Sequence, residues 1–158
     1  EMTFSLAAGL NWKGIDFSIL LQGAARSSIY LQQDIAWDNF WGNYYEEHIG
    51  RWTPETVATA TYPRFTKAAT AAHPNYYKSD YWLKDSKYLR LKNIQLGYTI
   101  PRKLLKKFGV RSLRVYANAY NLFTWDNVKK VDPESSNNSN GQFYPQQKVI
   151  NFGINLNF

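Results

Sequence analysis

The chain contains no cysteine. That excludes a disulfide framework, a thiol nucleophile and any cysteine-based metal centre. Its only histidines are His48 and His73. Neither lies at a ligand spacing from another metal donor, so both read as loop residues and no metal is expected. No Gly-x-Ser-x-Gly elbow and no phosphate-binding loop occurs. Glu46 and Glu47 are adjacent, and adjacent carboxylates do not converge as an acid and a base. No catalytic residue, no enzyme activity and no cofactor follow from these absences. No stretch approaches the ~20 apolar residues of a membrane helix. Acidic residues are few, 12 against 19 basic, for a net charge of +7. A basic chain raises the question of nucleic acid, but the charges are not gathered on one face and no nucleic-acid partner is expected.

What the sequence does have is alternation and aromatics, the latter 17% of residues. The stretch from Lys148 to Phe158 sets the pattern. Ile150, Phe152, Ile154, Leu156 and Phe158 share one parity; Val149, Asn151, Gly153, Asn155 and Asn157 share the other. Side chains alternate across a strand, so one face is apolar and the other small and mostly polar. An apolar edge strand invites aggregation in a soluble protein, whereas in a membrane barrel it is paired on both sides with its apolar face in lipid. Met2 to Trp12 and Ile15 to Leu21 repeat the alternation around a Lys13-Gly14 turn. A third strand spans about 81–99, a fourth about 112–124 and a fifth about 147–158. In the third, Leu89 and Leu91 have one parity while Ile94, Leu96 and Tyr98 have the other. One extra residue near Lys92-Asn93 would restore a single apolar face, so a β-bulge is expected there. Residues 101–108 read as one or two helical turns closed by Gly109.

The strands about 2–12, 15–25, 81–99, 112–124 and 147–158 are joined by connections of alternating length. The second and fourth, about 26–79 and 126–146, are long. Antiparallel strands place alternate connections at opposite ends, and short turns on one side with long loops on the other is the outer-membrane barrel pattern. The fold class is therefore all-β, an antiparallel transmembrane β-barrel. Five strands cannot close one, and the chain starts inside a strand pattern without a signal peptide. It is expected to be a piece of a longer chain. On this reading Phe17, Ile19, Leu21, Leu113, Val115, Ile150, Phe152, Ile154 and Leu156 face lipid. Trp12, Tyr98 and Phe158 lie at the periplasmic interface and Trp82 and Trp125 at the outer one. Residues 26–79 carry too many aromatics for disorder, a short helical turn within 34–45, and Pro54, Pro63 and Pro74 as interruptions. The cationic cluster Arg102, Lys103, Lys106, Lys107 and Arg111 reads as a solvated periplasmic turn, the alternative being an interaction with acidic partners or anionic head groups. The alternative architecture is a soluble β-sandwich, a carbohydrate-binding module using the same aromatics.

Several stretches together resemble the SusC/RagA-type TonB-dependent transporters. They are Tyr88-Leu-Arg-Leu-Lys-Asn-Ile-Gln-Leu-Gly-Tyr-Thr-Ile-Pro101, Leu113-Arg-Val-Tyr-Ala-Asn-Ala-Tyr-Asn-Leu-Phe-Thr-Trp125, Asp132-Pro133-Glu134 and Tyr144-Pro145, with Arg51-Trp52-Thr53-Pro54 and Tyr62-Pro63-Arg64 more loosely. Asn151, Gly153, Leu156 and Phe158 resemble the C-terminal signal read by the outer-membrane assembly machinery. The resemblance implies a 22-stranded barrel with an N-terminal plug, these five strands being the last, in a multi-pass protein of the cell outer membrane. It implies import of glycans or peptides with a SusD-type surface lipoprotein as lid, energised by the TonB complex through the missing N-terminal part. In that frame Trp37, Trp41, Tyr44, Tyr45, Trp52 and Arg64 are candidate substrate or lid contacts.

Overall fold

The structure, a computed structural model, describes residues 2–33, 36–40, 42–67, 73–128, 131–135 and 144–158. Its strands are β1 (Met2–Trp12), β2 (Ile15–Ala25), β3 (Ser28–Tyr30), β4 (Leu83–Asp85), β5 (Tyr88–Thr99), β6 (Ser112–Asp126) and β7 (Val149–Asn157). The chain divides into two compact units, one of residues 1–27, 87–127 and 145–158, the other of residues 28–86 and 128–144.

The first unit is a single antiparallel sheet in the order β1-β2-β5-β6-β7. Lys13 and Gly14 have φ of 47° and 88°. Positive φ at both central residues is the hairpin geometry whose twist matches that of the strands. The connection from β5 to β6, at the same end of the sheet, carries a helical turn α1 (Arg102–Leu105), a 3-10 turn (Lys106–Phe108) and Gly109 in the left-handed region.

Register turns the alternation of each strand into one continuous surface. Leu10, Phe17, Leu96, Ala117 and Phe152 cross the sheet in one row; Trp12, Ile15, Tyr98, Val115 and Ile154 cross in another. Most of these side chains are exposed, Phe152 at 82% and Ile154 at 70%, with Phe17 and Ala117 half-buried between their neighbours. The residues expected to face lipid all fall on this face. A β-sandwich would bury it against a second sheet. Among the described residues this unit has one sheet only, which overturns the carbohydrate-binding sandwich as an architecture. The opposite face is polar, with Ser18, Gln95, Asn118 and Asn151 in one row and the Asn151 amide donating to Asn118 Oδ1 at 3.0 Å.

The bulge falls at Lys92, which β2 skips: Leu20 pairs with Asn93 and Leu21 with Leu91. Across it Leu91 pairs with Phe123 and Leu89 with Trp125, so the apolar face continues unbroken. β6 answers with Asn121 and Leu122 between Tyr120 and Phe123, and Asn121 sits at φ 50°.

On the polar face Arg114 Nε donates to Asp16 Oδ2 at 2.9 Å. The same guanidinium lies 4.7 Å from the Tyr116 ring centroid. The Tyr116 ring fills the space where a Cβ on Gly153 would stand. Glycine is needed at that position because a tyrosine from the next strand lies over it.

In the second unit β3 pairs with β4, and 3-10 turns occupy Glu46–Gly50, Pro74–Tyr76 and Asp80–Trp82. Here the sequence expectation needs correcting. The strand expected from residue 81 begins at Tyr88; the preceding residues form the 3-10 turn and β4. Trp82 is the cause. Its side chain is buried, and its Nε1 donates to the Asn75 carbonyl at 2.9 Å. It therefore belongs to a loop core and not to an interfacial girdle. Of the helical turn expected within 34–45, the part at Ala36 and Trp37 is present, both amides donating to the Gln33 carbonyl; residues 34, 35 and 41 lie outside the described residues.

Candidate functional site

The second unit buries an aromatic core of Ile29, Leu31, Ala36, Trp37, Tyr62, Tyr76, Trp82 and Val128. Trp37 stacks on Tyr76 with centroids 4.6 Å apart, and Tyr62 meets Trp82 edge-on at 6.0 Å. Offset and edge-on geometries are the ones that aromatic quadrupoles favour. This answers how a long, proline-interrupted connection can hold one shape: its own aromatics are its core.

At the centre of that core sits Asp38, fully buried. A buried carboxylate is tolerable only when hydrogen-bonded. The Tyr76 hydroxyl donates to its Oδ1 and the Thr66 amide donates to Oδ2 at 2.9 Å, while the Tyr62 hydroxyl, 3.3 Å from Oδ1, donates to the Ala36 carbonyl at 2.8 Å. The Asp38 amide in turn donates to the Tyr62 oxygen at 3.0 Å. Burial, reinforced by the Asp38 carboxylate, pushes both tyrosine hydroxyls well above their ordinary value. They stay protonated and act as fixed donors.

His48 joins the same knot, 4.5 Å from the Tyr62 ring. Its Nδ1 accepts from the Tyr45 amide at 3.0 Å, and its Nε2 lies 3.2 Å from the Ala36 carbonyl. An acceptor at Nδ1 leaves the proton on Nε2, which donates to that carbonyl. His48 is thus a buried structural residue rather than the plain loop residue expected. His73 accepts at Nδ1 from the Asn75 amide at 3.2 Å and caps the turn Pro74–Tyr76.

Around this knot the expected contact residues separate. Trp37 is buried and presents no surface, which corrects its place among them. Trp41 lies outside the described residues. Tyr44 is 56% exposed, and Tyr45 and Trp52 are 37% and 38% exposed. Arg64 is exposed, and its carbonyl accepts from Asn75 Nδ2 at 2.8 Å. Trp52 is placed by its amide, which donates to the Tyr62 carbonyl at 2.8 Å, while the Thr61 and Tyr62 amides both donate to the Gly50 carbonyl. The sequence reading missed Phe65 and Arg51 as site residues. The Tyr44 ring is 5.5 Å from Phe65, and the Arg51 guanidinium lies 4.9 Å over the same ring. An aromatic face beside a fixed guanidinium suits a planar or ring-shaped polar ligand. Among the described residues no cluster of acidic and histidine side chains could hold a metal ion.

Comparison with known proteins places this geometry. No family model matches the chain. It is 29% identical over 175 residues to the TonB-dependent receptor P26 of Formosa agariphila, covering 100% of the chain and 17% of the relative. It is 24% identical to the TonB-dependent receptor SusC of Bacteroides thetaiotaomicron, again over 100% of the chain and 15% of the relative. In three dimensions it matches a structure of the RagAB peptide transporter with a TM-score of 0.72 at 26% identity, over 98% of this chain and 16% of that one. In sequence and in fold the chain resembles the SusC/RagA-type TonB-dependent receptors. It spans about a sixth of the length of these TonB-dependent receptors, and its antiparallel sheet corresponds to barrel wall. The relatives are receptors and transporters rather than enzymes.

Proposed function

We propose that this SusC/RagA-type segment belongs to a multi-pass receptor of the outer membrane that imports glycans or peptides, energised through TonB. One observation carries the reading. The five-stranded sheet is apolar and uncovered on one face and polar on the other, which is what a barrel wall between lipid and an aqueous lumen requires. The five strands are then part of a closed barrel, 22-stranded by the resemblance, with TonB contacted by other parts of the longer receptor. The second unit is extracellular and meets a SusD-type lipoprotein and the substrate, through Tyr44, Tyr45, Trp52 and Arg64 together with Trp41. Asn151, Gly153, Leu156 and Phe158 form the signal for the assembly machinery. The test is uptake of labelled oligosaccharides and oligopeptides by cells with and without the full-length receptor, in the presence and absence of TonB. Loss of one uptake on removing either component is expected. Unchanged uptake of both substrate classes would overturn import.

A further inference from the structure

The end of the sheet that carries the short connections has a charge and a shape that barrel-wall function leaves unused. Between Gly97 and Leu113 there is no acidic residue. Arg102, Lys103, Lys106, Lys107 and Arg111 crowd the turn, and among the described residues none has an ion-pair partner. The acid nearest in register, Asp16, is already taken by Arg114. Asp126, the other described acid of this unit, pairs with Tyr88 at the opposite end of the sheet, so the basic cluster is not neutralised within its own end of the sheet.

The same turn is apolar in a specific way. Leu105 is buried and anchors it, while Leu104 and Phe108, one helical turn apart, are 65% and 76% exposed. The turn is tied to the sheet: the Ile100 amide donates to the Leu113 carbonyl and the Arg111 amide to the Asn157 carbonyl, both at 2.8 Å. Trp12, with Lys13 Nζ 4.9 Å from its ring centroid, and Tyr98 stand at this end on the apolar face. Aromatics and snorkelling cations mark the depth of lipid headgroups.

We infer that the turn 101–111 is a docking surface for anionic phospholipid headgroups in the leaflet level with this end of the barrel. Leu104 and Phe108 enter the acyl boundary and the five cations hold the phosphates. This rests on the barrel reading above. Charge complementarity selects the occupant. Juxtamembrane cations are drawn to anionic lipid, whereas a zwitterionic headgroup offers no net charge. Exposed leucine and phenylalanine beside the cations favour a bilayer over a soluble anion, which has nothing to offer them.

The experiment uses the full-length receptor in nanodiscs of phosphatidylcholine with or without phosphatidylglycerol, reading the lipids that remain bound after transfer to detergent. Heat-resistant migration on gels reports the barrel separately, so a protein that never forms one refutes the barrel reading and not this one. Wild type should retain phosphatidylglycerol over phosphatidylcholine, and the preference should weaken with salt. The variant R102Q/K103Q/K106Q/K107Q should lose the preference by roughly tenfold. Arginine at the three lysine positions should keep it, and L104S/F108S should reduce retention without altering charge. Equal retention in wild type and the glutamine variant, both heat-resistant, would overturn the proposal. So would full displacement of the lipid by glycerol phosphate, which would make this a free-anion site.

Discussion

Gly153 shows how one residue can serve two accounts that experiment can separate. It falls within the signal-like spacing before Phe158, and it also lies beneath the Tyr116 ring. Gly153→Ala should force that ring to shift and cost about 1–3 kcal/mol by overpacking. If packing is the whole effect, Tyr116→Ala in the same chain should restore the heat resistance of the full-length barrel on gels. A persistent deficit in the amount reaching the outer membrane would instead belong to recognition during assembly. Asp38 and its tyrosines give a second test at this scale. Tyr62 and Tyr76 hold their protons more tightly in the folded unit than in the unfolded chain, where the ordinary value is 10.0. The folded state therefore binds more protons above that pH, and its stability falls as pH rises. The contribution is fully present below the ordinary value and is lost progressively above it. Near-ultraviolet circular dichroism from the aromatic core should fade above about pH 10 while the far-ultraviolet β signal persists. Tyr62→Phe with Tyr76→Phe should flatten that pH dependence.

At the scale of the element, adjacent residues of β5 report opposite solvents. Ile94 pairs with Ile19 and Ala119 on the apolar face, and Gln95 pairs with Ser18 and Asn118 on the polar one. Ile94→Arg should cost about 2–4 kcal/mol at mid-membrane, and Gln95→Arg much less. Equilibrium unfolding of the full-length barrel in lipid measures both, and equal costs would remove the lipid-facing assignment. The irregularities of β5 and β6 were unequally legible. One extra residue at Lys92 inverts the parity of everything beyond it, so a period-2 reading detects it. Two extra residues at Asn121 and Leu122 restore the parity, and Ala119 and Phe123 look like members of one undisturbed strand. Only the pairing of Leu91 with Phe123 exposes the second irregularity.

For the whole molecule, the expected role of Phe158 is in delivery. It is 76% exposed at the end of the sheet and as an interfacial side chain contributes at most roughly 1.5–3 kcal/mol by burial. A closed ladder of strand pairs absorbs such a loss, whereas machinery that reads an unfolded chain can depend on one terminal aromatic. Deleting Phe158 from the full-length receptor should lower the amount in the outer membrane and leave the heat resistance of the inserted molecules near normal. Normal surface levels with collapsed heat resistance would make it a packing residue. The sequence by itself determined the two faces of the sheet. The apolar face and the bulge at Lys92 follow from local alternation, because a strand's two faces see two different solvents, whereas the start of β5 at Tyr88 and the irregularity at Asn121 and Leu122 come from the pairing. Tertiary structure alone decided the second unit. Trp37 and Trp52 are the same residue type, 15 positions apart in an irregular stretch with no period to rank them. Trp37 is inside because Tyr76 stacks on it. Trp52 stays partly open because the backbone bond to Tyr62 fixes it at the surface. Asp38 could not be read as a core residue either, since its partners Tyr62, Thr66 and Tyr76 lie 24, 28 and 38 residues away. Burial of a charge depends on donors that only the folded chain brings together.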